Sequence, residues 1–263
     1  MSVLKFSVGV FAAVAALSCS SAQAAFILTT PVYTQDFNTL ANTGTSSVVP
    51  GGFEFVEVGT AANTTYAAGT GSSNAGNTYS FGATGSIDRA LGGLRSGALN
   101  PTFGIQFTNM LGRTITAFNI SFVGEQYRLG TAGRADRLAF EFSTTATSLL
   151  GTGFTPLTEL DFSSPTTTGP VGVLDGNAAA NQRNISGTIA GLNLLAGQSI
   201  FLRFVDFDAT GADDGLGIDN FRAEAVTIAA VPEPSTWMML IAGFGFIGAA
   251  LRGRRIKGKS VLA

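Results

Sequence analysis

The 263-residue chain carries 34 Gly and 21 Phe but only 12% charged residues, a turn-rich, aromatic balance that excludes disorder throughout and favours strands joined by short loops. It has no His and a single Cys, Cys19, which excludes a Ser-His-Asp triad, a Cys nucleophile in the body and a His/Cys zinc site. The formal charge of −2 hides an acidic body: between Phe26 and Val231 sixteen Asp/Glu stand against nine Arg and no Lys, a balance of −7 that repels phosphate backbones and argues against a nucleic-acid partner.

At the N-terminus, Lys5 precedes an uncharged run from Val8 to Leu17 and then Ala22-Gln23-Ala24. A positive start, an apolar run of about ten residues and an A-x-A site predict a secretory signal helix over residues 1–24, cut by signal peptidase after Ala24. Ala16-Leu17-Ser18 before Cys19 departs from a lipobox, so lipidation is not expected.

Residues 25–230 read as one domain. Phe103, Ile105 and Phe107 alternate with polar or small residues, as do Phe118, Ile120 and Phe122, and Leu138, Phe140 and Phe142. Period two marks half-buried strands. Val32 to Phe37, Phe53 to Val58, Leu157 to Phe162, Ile185 to Ile189, Ile200 to Val205 and Ile218 to Val226 are further candidates. The Gly/Asn/Thr/Ser-rich segment from Thr60 to Gly85 reads as a long loop inside the domain. Many strands with short polar links predict an all-β fold, a single jelly-roll-like β-sandwich.

Two polar clusters in the body can carry chemistry. Asp206, Asp208, Asp213, Asp214 and Asp219 offer oxygen ligands that suit Ca²⁺, although the run lacks the closing Glu of an EF-hand and Asp next to Gly is also an ordinary turn former. Glu125, Gln126, Tyr127 and Arg128 join acid, amide, aromatic ring and guanidinium, groups that suit sugar hydroxyls and ring faces; Arg128 can equally pair with a carboxylate to fix the sandwich. Glycoside hydrolysis needs two facing carboxyls at roughly 5–9.5 Å. Glu125, Glu141 and several Asp are available, but the sequence pairs none of them, so no catalytic residue is assigned and the body is not read as an enzyme.

At the C-terminus, Val231-Pro232-Glu233-Pro234-Ser235-Thr236 leads into an apolar stretch from Trp237 to Leu251, and Arg252, Arg254 and Arg255 begin a basic tail over 252–263. Proline fixes φ and blocks a continuing helix, which presents an extended segment ahead of the apolar one. The stretch 237–251 is expected to form a transmembrane helix, marginal because about 22 Å of rise meets a hydrocarbon core of about 30 Å, with the arginines held on the cytoplasmic side.

Residues 231–255 resemble a PEP-CTERM sorting signal of the variant with Pro-Glu-Pro, two residues, Trp, a Met-Met-Leu-rich stretch and terminal arginines. The resemblance implies recognition by a membrane exosortase, cleavage near Pro-Glu-Pro, brief residence in the inner membrane, and delivery to the cell surface or to exopolysaccharide. More loosely, Asp88-Arg89-Ala90-Leu91-Gly92, Gly124 to Arg128, Leu174-Asp175-Gly176-Asn177 and Asp213 to Phe221 resemble exported bacterial β-sandwich modules found alone or appended to extracellular hydrolases. The expected function is an exported, exosortase-processed surface or matrix protein that adheres through carbohydrate contact; an extracellular hydrolase or a purely structural matrix component are the alternatives.

Overall fold

The computed structural model describes residues 19–20, 25–228 and 234–257; the rest of the expected signal segment 1–24, and residues 229–233 and 258–263 of the tail, lie outside the described residues. The chain divides into two compact units, Met1–Thr227 and Ile228–Ala263.

The first unit is a two-sheet β-sandwich. One sheet runs in the order Cys19–Ser20, Phe53–Val58, Asn100–Asn109, Ser199–Asp206, Arg137–Ser143, Thr155–Pro156; Phe26–Leu28 and Phe162–Ser163 pair beside Asn100–Asn109 and Arg137–Ser143. The other runs Gly172–Val173, Thr114–Leu129, Gly215–Ile228, Ala90–Leu94, Asn77–Phe81, Tyr66–Gly69, Thr45–Ser46; Gln182–Ile189 lies along Thr114–Leu129 and Val32–Gln35 along Gly215–Ile228.

Register turns the alternation of Phe into a core. Phe103 is the cross-strand partner of both Phe55 and Phe204, and Phe204 is also the partner of Phe140, so four rings form one row across the first sheet. Phe122 of the second sheet meets that row edge-on, its ring centroid 5.2 Å from that of Phe204. All five are essentially solvent-free, and burying each side chain contributes about 1.5–3 kcal/mol. The residues assigned inward by period two, from Phe103 to Phe107, Phe118 to Phe122, and Leu138 with Phe140, are buried; Phe142 is only half-buried.

Three expectations are corrected. The segment from Thr60 to Gly85 is not a single loop: Tyr66–Gly69 and Asn77–Phe81 are parallel neighbours in the second sheet, because Tyr66, Tyr79 and Phe81 have apolar surface to bury that the flanking composition masks. Leu157 to Phe162 is not a continuous strand. It breaks into a 3₁₀ turn, Thr158–Leu160, and the short Phe162–Ser163, because the Asp161 side chain takes over backbone pairing: its Oδ1 accepts the Phe140 N–H at 2.8 Å and its Oδ2 accepts Arg137 Nη1 at 2.8 Å.

The third correction concerns the tail. The stretch 237–251 lies inside one helix, Pro234–Lys257, yet no helix among the described residues is long and apolar enough to cross a membrane. The uninterrupted apolar rise from Trp237 to Leu251 is about 22 Å, and lengthening it to a full span draws in Ser235, Thr236 and the arginines from Arg252 onward.

Candidate functional site

The Thr114–Leu129 strand places Phe118, Ile120 and Phe122 in the core, so Glu125 and Tyr127 point to the opposite, outer face of the second sheet. Both are nevertheless only 3% exposed. Their cover is built by glycines. Gly71, at φ +83°, lets the Thr70–Gly76 link lie so close that a Cβ there would come 1.9 Å from the Tyr127 carbonyl oxygen, and a Cβ on Gly176 would come 2.4 Å from the Tyr127 ring. On the sheet itself, Tyr127 stacks on Phe81, which stacks on Tyr79, with centroid separations of 5.0 Å at each step.

Within this cover the Tyr127 hydroxyl donates to Glu125 Oε2 at 2.6 Å, and Gln182 Nε2 donates to Glu125 Oε1 at 3.3 Å. Burial pushes the Glu125 carboxyl up to about 7, tempered by the Tyr127 hydroxyl and reinforced by the neighbouring acids Asp219, Asp88 and Asp175. Asp219 is likewise buried and pushed up to about 7, chiefly by desolvation; its Oδ2 accepts Asn220 Nδ2 at 2.8 Å.

The other half of the predicted quartet serves different partners. Gln126 is fully buried, donating from Nε2 to Asp214 Oδ2 and to the Thr166 carbonyl, each at 2.9 Å, while its Oε1 accepts the Thr166 N–H at 2.9 Å. Arg128 Nη1 donates to the carbonyls of Gly71 at 3.1 Å and Ser72 at 3.3 Å, which pins the link over Tyr127. Gln126 thus serves a separate network, while Arg128 holds the link that covers Tyr127.

Asp206, Asp208, Asp213, Asp214 and Asp219, the oxygen ligands that could suit Ca²⁺, are each engaged elsewhere or apart. Among the described residues no group of three or more acidic, His or Cys side chains is placed to hold a metal ion. Asp206 Oδ2 accepts the Arg95 N–H at 2.9 Å, Asp208 pairs with Arg95 Nη2 at 3.1 Å, and Asp213 Oδ1 accepts the Ala209 N–H at 3.0 Å. Asp214 Oδ1 accepts the Gly130 N–H at 2.7 Å, while the positive charge in this corner is Arg134, whose Nη1 lies 3.4 Å from Asp136 and 3.8 Å from Asp214. Asp219 cannot join them, since five residues of extended chain from Asp214 span about 16 Å. Desolvation raises the carboxyls of Asp136, Asp206 and Asp214, and pushes Asp213 to about 6.

Glu141 is bound to Arg203, Nε to Oε2 at 2.8 Å, on the first sheet, whereas Glu125 lies on the second.

Sequence reasoning missed two adjoining clefts of about 440 and 400 Å³, which share Thr70, Gly82, Ala83 and Thr84. The larger also meets Asn42, Ser72, Ser73, Tyr79 and Arg89; the smaller reaches Tyr127 and Asp175. Their hydroxyls come from the very segment that reads as a featureless polar loop. The one available signal was Asp88-Arg89 ahead of Ala90-Leu91, an arginine entering an apolar strand.

In the second unit, Pro234 opens the helix, a position where its missing N–H leaves no bond unmade. Trp237, Met238, Met239, Phe244 and Phe246 are exposed, as is Arg252; Arg254 and Arg255 follow within the helix. Apolar residues surround the helix instead of forming one stripe.

Residues 230–255 match the family model described as the PEP-CTERM protein-sorting motif. No curated protein matches the chain. Among solved structures, the chain is similar to the CBM22-1 xylan-binding domain of Paenibacillus barcinonensis Xyn10C, with 11% identity and TM-score 0.35 over 75% of this chain and 95% of that one. It is also similar to the K3 cleaved adhesin domain of Lys-gingipain from Porphyromonas gingivalis, with 13% identity and TM-score 0.35 over 78% and 99%. A third is TmCBM61 in complex with β-1,4-galactotriose, with 10% identity and TM-score 0.29 over 54% and 74%. These likenesses are loose, and nothing about a ligand passes from them to this chain. The protein is thus a β-sandwich whose chain ends in a PEP-CTERM protein-sorting motif.

Proposed function

We propose that the protein is exported, cut by an exosortase near Pro232-Glu233-Pro234, and left at the cell surface or in the extracellular matrix, where its sandwich adheres by contacting carbohydrate of the exopolysaccharide. The observation that carries the reading is position. The last strand ends at Ile228 and the sorting motif begins at residue 230, so a cut at Pro-Glu-Pro separates a complete sandwich from an apolar helix. The hydroxyl-lined clefts beside Tyr79 and Tyr127 support the adhesive part, since sugars are held by convergent hydroxyl, amide and aromatic groups.

The test is a fractionation blot of the native host with and without its exosortase. The expected result is a shortened protein at the surface or in the medium of the wild type, and an uncut precursor in cells lacking the enzyme. A surface protein that still carries residues 234–263 would overturn the processing step. Retention of the recovered protein on the host's own exopolysaccharide tests adhesion separately.

A further inference from the structure

Arg89 is among the largest side chains that are fully buried, at 2% exposure, and it makes no ion pair among the described residues. Its guanidinium is held instead by neutral oxygens: Nε donates to Ser80 Oγ at 2.9 Å, Nη1 to the Ala83 carbonyl at 3.3 Å, and Nη2 to the carbonyls of Ser80 and, at 3.4 Å, Gly69. Asp88, the next residue, acts on this cation only from beyond ion-pair reach; its Oδ2 accepts Asn177 Nδ2 at 2.7 Å.

A buried charge without a counter-charge is destabilising, and four hydrogen bonds to neutral acceptors offset this only in part. The guanidinium has five N–H groups, and the contacts above use four, leaving one on Nη1. The same arginine lines the larger cleft, whose wall and rim carry Thr70, Ser72, Ser73, Thr84 and the Asn42 amide. Gly82 keeps that approach open: a Cβ there would come 2.5 Å from Arg89 Nη1. An anion entering the cleft would therefore meet a cation already stripped of solvent, surrounded by groups that bond sugar hydroxyls.

We infer that the cleft lined by Arg89, Thr70 and Thr84 binds an acidic saccharide, with Arg89 facing the carboxylate of a uronic-acid residue. This rests on the carbohydrate-contact reading above and names its ligand class. The cleft of about 440 Å³ holds one or two sugar rings, and the hydroxyl rim suits the ring hydroxyls once the carboxylate is anchored.

The test uses the full chain in detergent micelles and two probes, trigalacturonic acid and its methyl ester, in which the carboxylates are masked. Calorimetry is expected to show saturable binding of the acid that weakens with added salt, and binding of the ester at least tenfold weaker. Arg89→Gln should lose the preference for the acid. Because that variant removes a buried side chain, Thr84→Trp serves as a second: the residue is exposed, so the bulk should block the cleft with an unchanged melting temperature and at least tenfold weaker binding. Equal binding of acid and ester would overturn the acidic specificity and leave carbohydrate contact standing. No binding of either probe at about 10 mM, or full binding by Thr84→Trp, would overturn the site itself.

Discussion

The Tyr127 ring lies flat on Phe81, centroids 5.0 Å apart and planes within 9°, while its hydroxyl reaches Glu125 at 2.6 Å. One side chain therefore closes an apolar stack and supplies the main donor to a buried carboxyl on the outer face of a sheet. Tyr127→Phe keeps the stack and removes that donor, leaving Glu125 with Gln182 alone. The expected loss is about 1–2 kcal/mol in chemical denaturation, with an unchanged m-value. Tyr127→Ala should cost more, since the stack goes too.

Stability should fall as pH rises from about 4 to about 7. The folded protein keeps Glu125 and Asp219 protonated up to about pH 7, whereas the unfolded chain releases those protons near the ordinary values of 4.5 and 3.8. The native state then binds more protons than the unfolded one across that window, so each rise in pH favours unfolding; above pH 7 both states are ionised and the loss is complete. For Glu125 the displacement from 4.5 to about 7 corresponds to about 3 kcal/mol. Thermal melts at pH 5 and 8 check the direction, and Glu125→Gln should flatten the difference by its share.

Calcium should not stabilise the sandwich. The carboxylates of Asp206, Asp213 and Asp214 already accept backbone N–H groups, and Arg134 supplies the charge between Asp136 and Asp214. Melting temperatures with millimolar calcium and with chelator are expected to coincide, whereas Arg134→Ala should cost about 3 kcal/mol by leaving buried carboxylates unpaired. A calcium-dependent rise in wild type would show that these acids rearrange around the ion.

Deleting residues 232–263 should leave the melting temperature of the body unchanged within about 1 °C, because every residue of the main core lies between Leu28 and Ala225. The shortened protein should also be soluble without detergent, having lost the exposed apolar helix.

Much of this protein was legible in its sequence because the relevant physics is local. Period two along Phe103-Gly104-Ile105-Gln106-Phe107 fixes which side chains face the core whatever the strand pairs with, and the order Pro-Glu-Pro, apolar run, arginines is readable because a sorting signal acts as a short linear segment. What the sequence left open depends on neighbours distant along the chain. Glu125 is held protonated toward pH 7 by burial beneath glycine-cleared links, with Tyr127 two residues along and Gln182 from another strand; Asp161 ends a strand only because Arg137 and Phe140 lie beside it. Arg89 becomes a buried cation in a cleft only when the strands from the apparent loop fold over it. Hydrophobic alternation is a property of one strand, whereas desolvation, pairing and cavity shape are set by several, so the sequence determined the sandwich and its sorting motif, and the tertiary structure decided which polar groups are buried together and where the clefts open.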